Sequence, residues 1–147
     1  MNKQSLICKK CLSLNSIPDP VPEGKTAKCG HCKESLAPYT GGAVDVTPVA
    51  FANLIQHSPI PLVVDCWADW CQPCKAFAPT FSSVAIEKAR QALFLKLDTQ
   101  THQQLAGQLN IRSIPTLLIF NEGKEIIRQS GALPRDQFLH WLKKSGI

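Results

Sequence analysis

Residues 63–75 read Val63-Val64-Asp65-Cys66-Trp67-Ala68-Asp69-Trp70-Cys71-Gln72-Pro73-Cys74-Lys75, a short apolar run followed by two cysteines. The apolar run is typical of a buried strand. From Lys75 onward, apolar residues recur every three or four positions, which predicts a helix. The sequence therefore places Cys71 and Cys74 at the junction between a strand and a helix.

This junction favours thiolate chemistry. The first turn of a helix has unpaired backbone N–H groups and the positive end of the helix dipole, and both stabilise an anion. Cys71 comes first and is expected to be the more exposed, so it is the candidate nucleophile. Cys74 lies one helical turn further on and can close a disulfide with it. Pro73 suits a first turn because its φ angle is fixed and it has no N–H to leave unpaired.

The pattern Asp65-x-Trp67-Ala68-x-Trp70-Cys71-x-Pro73-Cys74-Lys75 resembles the active-site segment of the thioredoxin family. The resemblance covers residues 43–147 and implies a thioredoxin fold and a protein-disulfide reductase. It also implies that Cys71 attacks a substrate disulfide and that Cys74 resolves the mixed disulfide. The alternative, a metal knuckle or a chance cysteine pair, is disfavoured by the flanking tryptophans, the aspartate and the strand–helix context.

The resemblance assigns supporting roles to several other residues. Asp65 would help to deprotonate Cys74, with Lys96 nearby, and Trp70 would cover the disulfide. Ile114-Pro115 would form a cis peptide bond that faces the disulfide, leaving the Ile114 backbone free to pair with an extended substrate. The plain alternative is that Pro115 merely begins a strand.

Two residues can be judged further from their surroundings in the sequence. Asp65 lies in an apolar run, where a charge is costly unless it is paired or protonated, so its pKa is expected to be raised. It could also be a structural carboxylate at the end of a strand. Gln72 stands where the family usually has glycine, which leaves the reduction potential open because residues between the cysteines influence thiolate stability.

The elements predicted for residues 43–147 follow the order β-α-β-α-β-α-β-β-α. The strands are predicted at 43–46, 62–68, 92–98, 116–120 and 125–128, and the helices at 48–57, 72–90, 101–109 and from Pro134 onward. Strands joined by helices favour parallel pairing, whereas the final hairpin must be antiparallel. The expected fold class is α/β, with a central mixed sheet and helices on both faces.

Residues 1–36 are predicted to form a separate zinc module, joined to the rest by a linker at 37–42. Four cysteines, Cys8, Cys11, Cys29 and Cys32, form two Cys-x-x-Cys pairs whose spacing suits one tetrahedral zinc ion. The segment has few large apolar residues, so metal ligation would supply folding energy. Whether that role is structural or regulatory stays open. The combination with residues 43–147 resembles the bacterial thioredoxin 2 subgroup of the family.

The second pair invites another interpretation. Cys29-Gly30-His31-Cys32 is the tetrapeptide found in the active site of protein disulfide isomerases. No buried apolar strand and no tryptophan precede it in this chain, so a zinc knuckle is the better interpretation.

The cysteine content, apolar runs and net charge of the chain indicate its compartment and its binding partners. The chain has 147 residues, and its seven cysteines form three Cys-x-x-Cys pairs and one singleton, a pattern that favours metal and redox chemistry in a reducing compartment, here the cytoplasm. No apolar run approaches the length of about 20 residues that spans a membrane, and no secretory signal is recognised. The net charge is +5, but zinc-bound thiolates would reduce the positive charge of the amino-terminal module to about +1, a weak case for nucleic acid binding.

The resemblance implies an NADPH-dependent thioredoxin reductase as electron donor, oxidised proteins as substrates, and no organic cofactor. One rival function is a zinc-dependent module that binds protein or nucleic acid on an inactive redox scaffold. The other is an oxidant or isomerase with the same fold, which would differ in reduction potential and location.

Overall fold

The structure is a computed structural model that describes residues 2–8, 10–11, 13–36 and 42–147. The elements, in chain order, are β1 (Asn2–Ile7), β2 (Leu14–Asp19), β3 (Val44–Asp45), α1 (Pro48–His57), β4 (Leu62–Trp67), α2 (Gln72–Glu87), β5 (Leu93–Asp98), α3 (Gln103–Gln108), β6 (Thr116–Asn121), β7 (Lys124–Ser130) and α4 (Arg135–Lys144). From β3 onward, the order is the predicted one. The predicted linker at 37–42 lies almost wholly outside the described residues.

The five strands β3 to β7 form one mixed sheet in the order β3-β5-β4-β6-β7. β3 and β4 both pair in parallel with β5, as strands connected through helices are expected to do. β6 pairs antiparallel with β4 and with β7, so the last two strands form the predicted hairpin. β4, which leads into the cysteine pair, is therefore flanked by a strand on each side.

Side chains that alternate along the strands divide the core into two halves, one on each face of the sheet. On one face, Val63 and Phe94 pack with residues of α2 and α4, including Phe81 and Phe138. On the other face, residues of β4 and β5 pack with α1, and the partly buried Leu105 of α3 joins them. Helices thus cover both faces of the sheet, and the predicted fold class is confirmed.

Local sequence explains where α1 and α2 begin. Thr47 is the N-cap of α1, its hydroxyl accepting from the Ala50 N–H at 3.2 Å, and Pro48 follows in the first turn, so the helix begins at the predicted residue 48. α2 begins after Cys71, with Pro73 in its first turn and Pro79 inside it. The prediction that α2 extends to about Arg90 is wrong, because a turn from Lys88 to Gln91 ends the helix at Glu87.

The amino-terminal segment contains a hairpin that was not predicted. β1 and β2 pair antiparallel, with Asn2 opposite Asp19 and Ile7 opposite Leu14, and the first cysteine pair lies in the loop between them. The segment meets the larger sheet domain through Leu14, which packs against the core half next to α1, and through an ion pair of 3.1 Å between Asp19 and Arg90. None of the helices in the described ranges is long and apolar enough to cross a membrane.

Candidate functional site

The cysteine pair lies where β4 ends and α2 begins. Cys71 is the N-cap residue of α2, Cys74 lies in the first turn, and the two form a disulfide with their Cα atoms 5.3 Å apart. Both side chains are buried, with 4% of Cys71 and 2% of Cys74 exposed. The predicted difference in exposure is therefore slight, and a substrate must reach the pair from the surface that surrounds it.

The start of α2 supplies the electrostatic environment that the sequence predicted. The backbone N–H of Cys74 donates to Cys71 Sγ at 3.2 Å. Together with the dipole of a 16-residue helix, this N–H stabilises negative charge on that sulfur once the disulfide is reduced. The same contact does not help Cys74, so the two thiols differ in how readily they ionise.

Asp65 is a buried carboxyl on the α2 side of the sheet. Side chains alternate between the two faces of a strand, so Asp65, two residues after Val63 on β4, lies on the same face as Val63. Val63 packs against α2. Its side chain is fully buried, and neither carboxyl oxygen accepts a hydrogen bond from any residue that the structure describes. Burial raises the pKa of Asp65 to about 7, and the charge of Lys96 lowers the pKa in part. The expected upward shift is confirmed, and the carboxyl can exchange a proton near neutral pH.

Lys96 faces Asp65 from the neighbouring strand, because the two residues are register partners on β4 and β5. Its ammonium group lies 4.5 Å from the centre of the Trp67 ring, in a cation–π contact. Trp67 therefore holds the cation whose charge acts on Asp65.

The loop before β6 approaches the disulfide. The Ile114–Pro115 peptide bond is cis, as the resemblance implied, and the Ile114 carbonyl oxygen is 3.8 Å from Cys71 Sγ. Two hydrogen bonds hold this loop. The Thr116 hydroxyl donates to the Ser113 carbonyl at 2.6 Å, and the Gly131 N–H donates to the Pro115 carbonyl at 2.8 Å. Pro115 itself is buried, whereas Ile114 is half-buried and accessible.

The remaining predicted residues divide by exposure. Trp70 is 68% exposed, a large apolar surface directly before Cys71. Cys66 is fully buried in the core half on the α1 side, so it faces away from Asp65. Burial raises the pKa of the Cys66 thiol to about 12, so this thiol stays protonated at neutral pH and suits a packing position.

Cys8, Cys11, Cys29 and Cys32 converge in the amino-terminal segment. Their sulfur atoms all lie within 4.8 Å of one another, and the pairs Cys8–Cys32 and Cys11–Cys29 are 3.6 Å apart. Four thiolates placed about 2.3 Å from a zinc ion form a tetrahedron with edges of about 3.8 Å. Both the chemistry of these ligands and their spacing therefore fit one zinc ion, and the isomerase-like interpretation of Cys29 and Cys32 finds no support.

The two cysteine loops share one backbone design. In each loop the N–H of the first cysteine donates to the carbonyl five residues later: Cys8 to Ser13 at 2.9 Å, and Cys29 to Glu34 at 2.8 Å. A bridge between Lys28 and Ser35 closes the second loop, as the β1–β2 hairpin closes the first. Asn15, whose side chain bonds to both loops, was not among the predicted residues. Its distance of 15 positions from Gly30 leaves no local signal of that contact.

A cysteine pair that joins the central strand of a mixed sheet to a helix, beside a buried carboxyl and a cis-proline loop, is the arrangement of a thiol–disulfide oxidoreductase with a thioredoxin fold. Comparison with known proteins agrees. Residues 42–144 match the thioredoxin family model. The chain is 37% identical to thioredoxin C-3 of Corynebacterium nephridii over 140 residues, covering 93% of this chain and 92% of that protein.

Two further relatives match mainly the sheet domain. Thioredoxin of Haemophilus influenzae is 36% identical over 94 residues, which cover 64% of this chain and 88% of that protein. The crystal structure of thioredoxin f from spinach chloroplast (short form) superposes with a TM-score of 0.68 at 31% identity, covering 76% of this chain and all of that one. The chain belongs to the thioredoxin family and is a protein-disulfide oxidoreductase. The alignment with thioredoxin C-3 is longer than the family match and so extends into the amino-terminal segment.

Proposed function

We propose that this chain is a protein-disulfide reductase in which Cys71 is the nucleophile and Cys74 the resolving thiol. The observation that carries the proposal is the position of the disulfide at the first turn of α2, where the Cys74 N–H bonds to Cys71 Sγ. In the reduced protein this N–H and the helix dipole favour the thiolate on Cys71. Cys74 remains protonated until the second step of the reaction.

The first step is the attack of the Cys71 thiolate on one sulfur of a substrate disulfide. A bond forms between Cys71 Sγ and that sulfur, the substrate S–S bond breaks, and the second substrate sulfur leaves as a thiolate. The exposed Trp70 and the half-buried Ile114 lie beside the cysteine pair and offer an apolar surface for the substrate chain. The backbone of Ile114, with Pro115 behind it, is the proposed partner for an extended substrate segment.

The second step needs a base for Cys74. The Asp65 carboxylate accepts the Cys74 proton, and the Cys74 thiolate then attacks Cys71 Sγ and releases the other substrate sulfur. The substrate gains two electrons and two protons, and the Cys71–Cys74 disulfide forms. A pKa of about 7 leaves roughly half of the Asp65 side chains ionised at neutral pH, and Lys96 adjusts that fraction through its charge.

Return of the disulfide to the dithiol needs an external donor of two electrons. The proposed donor is an NADPH-dependent thioredoxin reductase, and the proposed substrates are proteins with oxidised thiols or catalytic disulfides. No organic cofactor takes part within the chain. The proposed location is the cytoplasm, because a cluster of four metal-binding thiolates persists best in a reducing compartment.

The four clustered cysteines, Cys8, Cys11, Cys29 and Cys32, would hold one zinc ion in a module formed by residues 1–36, with a linker at 37–42. Bound zinc would tie the two loops together and so supply folding energy that their small core lacks. That core contains only four buried residues among those described, and two of these are cysteines. The role of the ion is therefore structural in the first place, and a regulatory role would act through the same four sulfurs.

Substitution of each cysteine tests the mechanism. Cys71→Ser should abolish reduction of insulin disulfides, whereas Cys74→Ser should accumulate mixed disulfides because its first step still proceeds. Cys66→Ala is the matched control, since Cys66 faces the opposite side of the sheet and should leave turnover unchanged. Measurable turnover by Cys71→Ser, or trapping by Cys71→Ser rather than Cys74→Ser, would contradict the assignment.

Gln72 gives a reason to test the second candidate function, an oxidant or isomerase. It is exposed and occupies the first position of α2, between the two cysteines. The equilibrium reduction potential separates the two functions. A value near that of thioredoxin, about −270 mV, supports a reductase, whereas a value of about −180 to −120 mV supports an isomerase or oxidant.

A further inference from the structure

The Asn15 side chain bonds to the backbone of both cysteine loops in the amino-terminal segment. It lies on β2, just after the first loop. Its Oδ1 accepts from the Gly30 N–H at 2.9 Å, and its Nδ2 donates to the Ser13 carbonyl at 3.1 Å. Nδ2 also lies 3.5 Å from Cys29 Sγ. One amide thus reaches the backbone of each loop and one of the four sulfurs.

The first two bonds fix how far apart the loops lie. Ser13 is the residue whose carbonyl closes the first loop onto Cys8, so the amide binds the point at which that loop is closed. Gly30 follows directly after Cys29 in the second loop, and a Cβ at Gly30 would lie 3.7 Å from Asn15 Oδ1.

The loops are held within themselves by separate strand pairings. The side chains of Lys10 and Glu34 also join the two loops, in an ion pair of 3.4 Å, but both are exposed to solvent and such a pair contributes little. Asn15 instead connects the loops through two hydrogen bonds to their backbones.

The third contact acts on a sulfur. Cys29 is completely buried, and its Sγ accepts from the His31 N–H at 3.4 Å as well as from the Asn15 amide. Hydrogen bonds to a metal-bound thiolate offset part of its negative charge and fix the direction of its lone pairs. Partners of this kind orient the ligands of a metal ion, and their loss typically weakens metal binding about 10- to 100-fold.

We propose that Asn15 is a positioning residue of the metal centre. Its carbonyl oxygen sets the separation of the two cysteine loops, and its amide orients the sulfur of Cys29 toward the ion. This inference rests on the zinc centre proposed above. It adds a residue that contributes no ligand atom yet determines how tightly the four cysteines hold the ion.

Two substitutions separate the two halves of this role. Asn15→Leu has a similar shape and removes every polar contact. Asn15→Asp keeps an oxygen for the Gly30 N–H but loses the donor and places a carboxylate beside the Cys29 sulfur. Ser16→Ala is the matched control, because Ser16 is the next residue on β2 and is exposed. All variants are compared as full-length protein, and melting of the sheet domain is recorded to verify that each has folded.

The affinity for zinc is measured by competition with a chromophoric chelator. Replacement of zinc by Co²⁺ adds a spectroscopic readout, since its sulfur-to-metal absorption band reports on the electron density of the thiolates. We expect both Asn15 variants to bind zinc about 10- to 100-fold more weakly than the parent and Ser16→Ala. We also expect the absorption band to shift in both variants, because Cys29 Sγ has lost an N–H donor.

Each alternative outcome has a defined meaning. If Asn15→Leu binds zinc with the parental affinity and spectrum, Asn15 has no positioning role, while the zinc centre stands. If only Asn15→Leu is weakened, the bond to Cys29 Sγ is irrelevant, which overturns the proposed action on the sulfur. If the parent protein itself does not bind one zinc ion per chain, the metal centre and the role of Asn15 both fail.

Discussion

The buried carboxyl of Asp65 lowers the stability of the folded chain when it is ionised. Its carboxyl is fully buried and receives no hydrogen bond from the described residues. A group in this position destabilises the fold whenever it is ionised, since the unfolded chain would solvate the charge. The charge of Lys96 offsets only part of that cost, because the pKa of Asp65 still rises to about 7. The proposed role of Asp65 as the acceptor of the Cys74 proton would explain why the fold keeps such a costly group.

The sign of its effect on stability follows from that pKa. Below about pH 4 the carboxyl is neutral in both the folded and the unfolded chain, and it costs nothing. Between about pH 4 and 7 the unfolded chain loses the proton while the folded chain keeps it, so stability falls as the pH rises. Above pH 7 both states are ionised and the cost is constant. A shift from 3.8 to about 7, at about 1.4 kcal/mol per pH unit, corresponds to about 4 kcal/mol.

Asp65→Asn should remove this pH dependence. In the oxidised protein, the free energy of unfolding of the variant relative to the parent should rise between pH 4 and pH 7, by up to about 4 kcal/mol, and then level off. Urea denaturation at pH 4 to 9 measures it. Asp45→Asn, which replaces an exposed carboxylate on β3, is the control. A constant difference between Asp65→Asn and the parent at every pH would refute the argument.

The sequence could predict the residues of the redox site because its chemistry is local. Cys71, Cys74 and Pro73 lie within one helical turn, and Asp65 stands out as a charge within an apolar strand. The contacts of Trp67 and Asn15 could not be predicted, since their partners come from elsewhere in the chain. The Lys96 ammonium reaches the Trp67 ring only through the pairing of β4 with β5, and Gly30 meets Asn15 only after both loops have closed.

At the scale of elements, the first turn of α1 is stabilised by a side-chain cap. Thr47 places its hydroxyl on the Ala50 N–H, and Pro48 begins the helix. We expect Thr47→Ala to lower the free energy of unfolding by about 1 kcal/mol, because one N–H of the first turn loses its acceptor. Thr47→Ser retains the oxygen and should cost much less. Chemical denaturation of both variants measures the difference; equal losses would mean that the methyl group, rather than the cap, matters.

The helices and strands could be predicted where the spacing of apolar residues is regular. They could not be predicted where tertiary contacts determine the local structure. Strands β4, β5 and β6 consist mainly of apolar residues, and the elements from β3 to α4 have the predicted order. The hairpin β1–β2 has no such signal: Asn2, Lys3, Gln4 and Ser5 are polar, and Pro18 in β2 cannot donate to a partner strand. The loop between its strands is closed by the hydrogen bond from the Cys8 N–H to the Ser13 carbonyl. The end of α2 was misplaced because Lys88 and Ala89 are good helix formers with no stop signal.

At the scale of the whole molecule, the two parts of the chain are stabilised by different means. The sheet domain has two extensive apolar core halves, whereas the described core of the amino-terminal segment is Cys8, Ile17, Cys29 and Leu36. Between the two parts, the contacts include Leu14 and the Asp19–Arg90 ion pair, whose Arg90 side chain is 81% exposed. An exposed ion pair of this kind contributes little to stability. The parts are therefore expected to unfold separately.

Removal of zinc tests that separation. After treatment with a strong chelator under reducing conditions, residues 13–36 should lose protection against hydrogen exchange, because the proposed zinc ion would supply their folding energy. β4, β5 and β6 should keep their protection, since their core does not involve the four cysteines. Hydrogen exchange followed by mass spectrometry measures both regions in one experiment. The double variant Cys8→Ser/Cys11→Ser should show the loosened pattern without chelator, and Cys66→Ala should behave as the parent does. Loss of protection in β4 and β5 on chelation would mean that the chain folds as one unit, and the proposed boundary at residues 37–42 would be wrong.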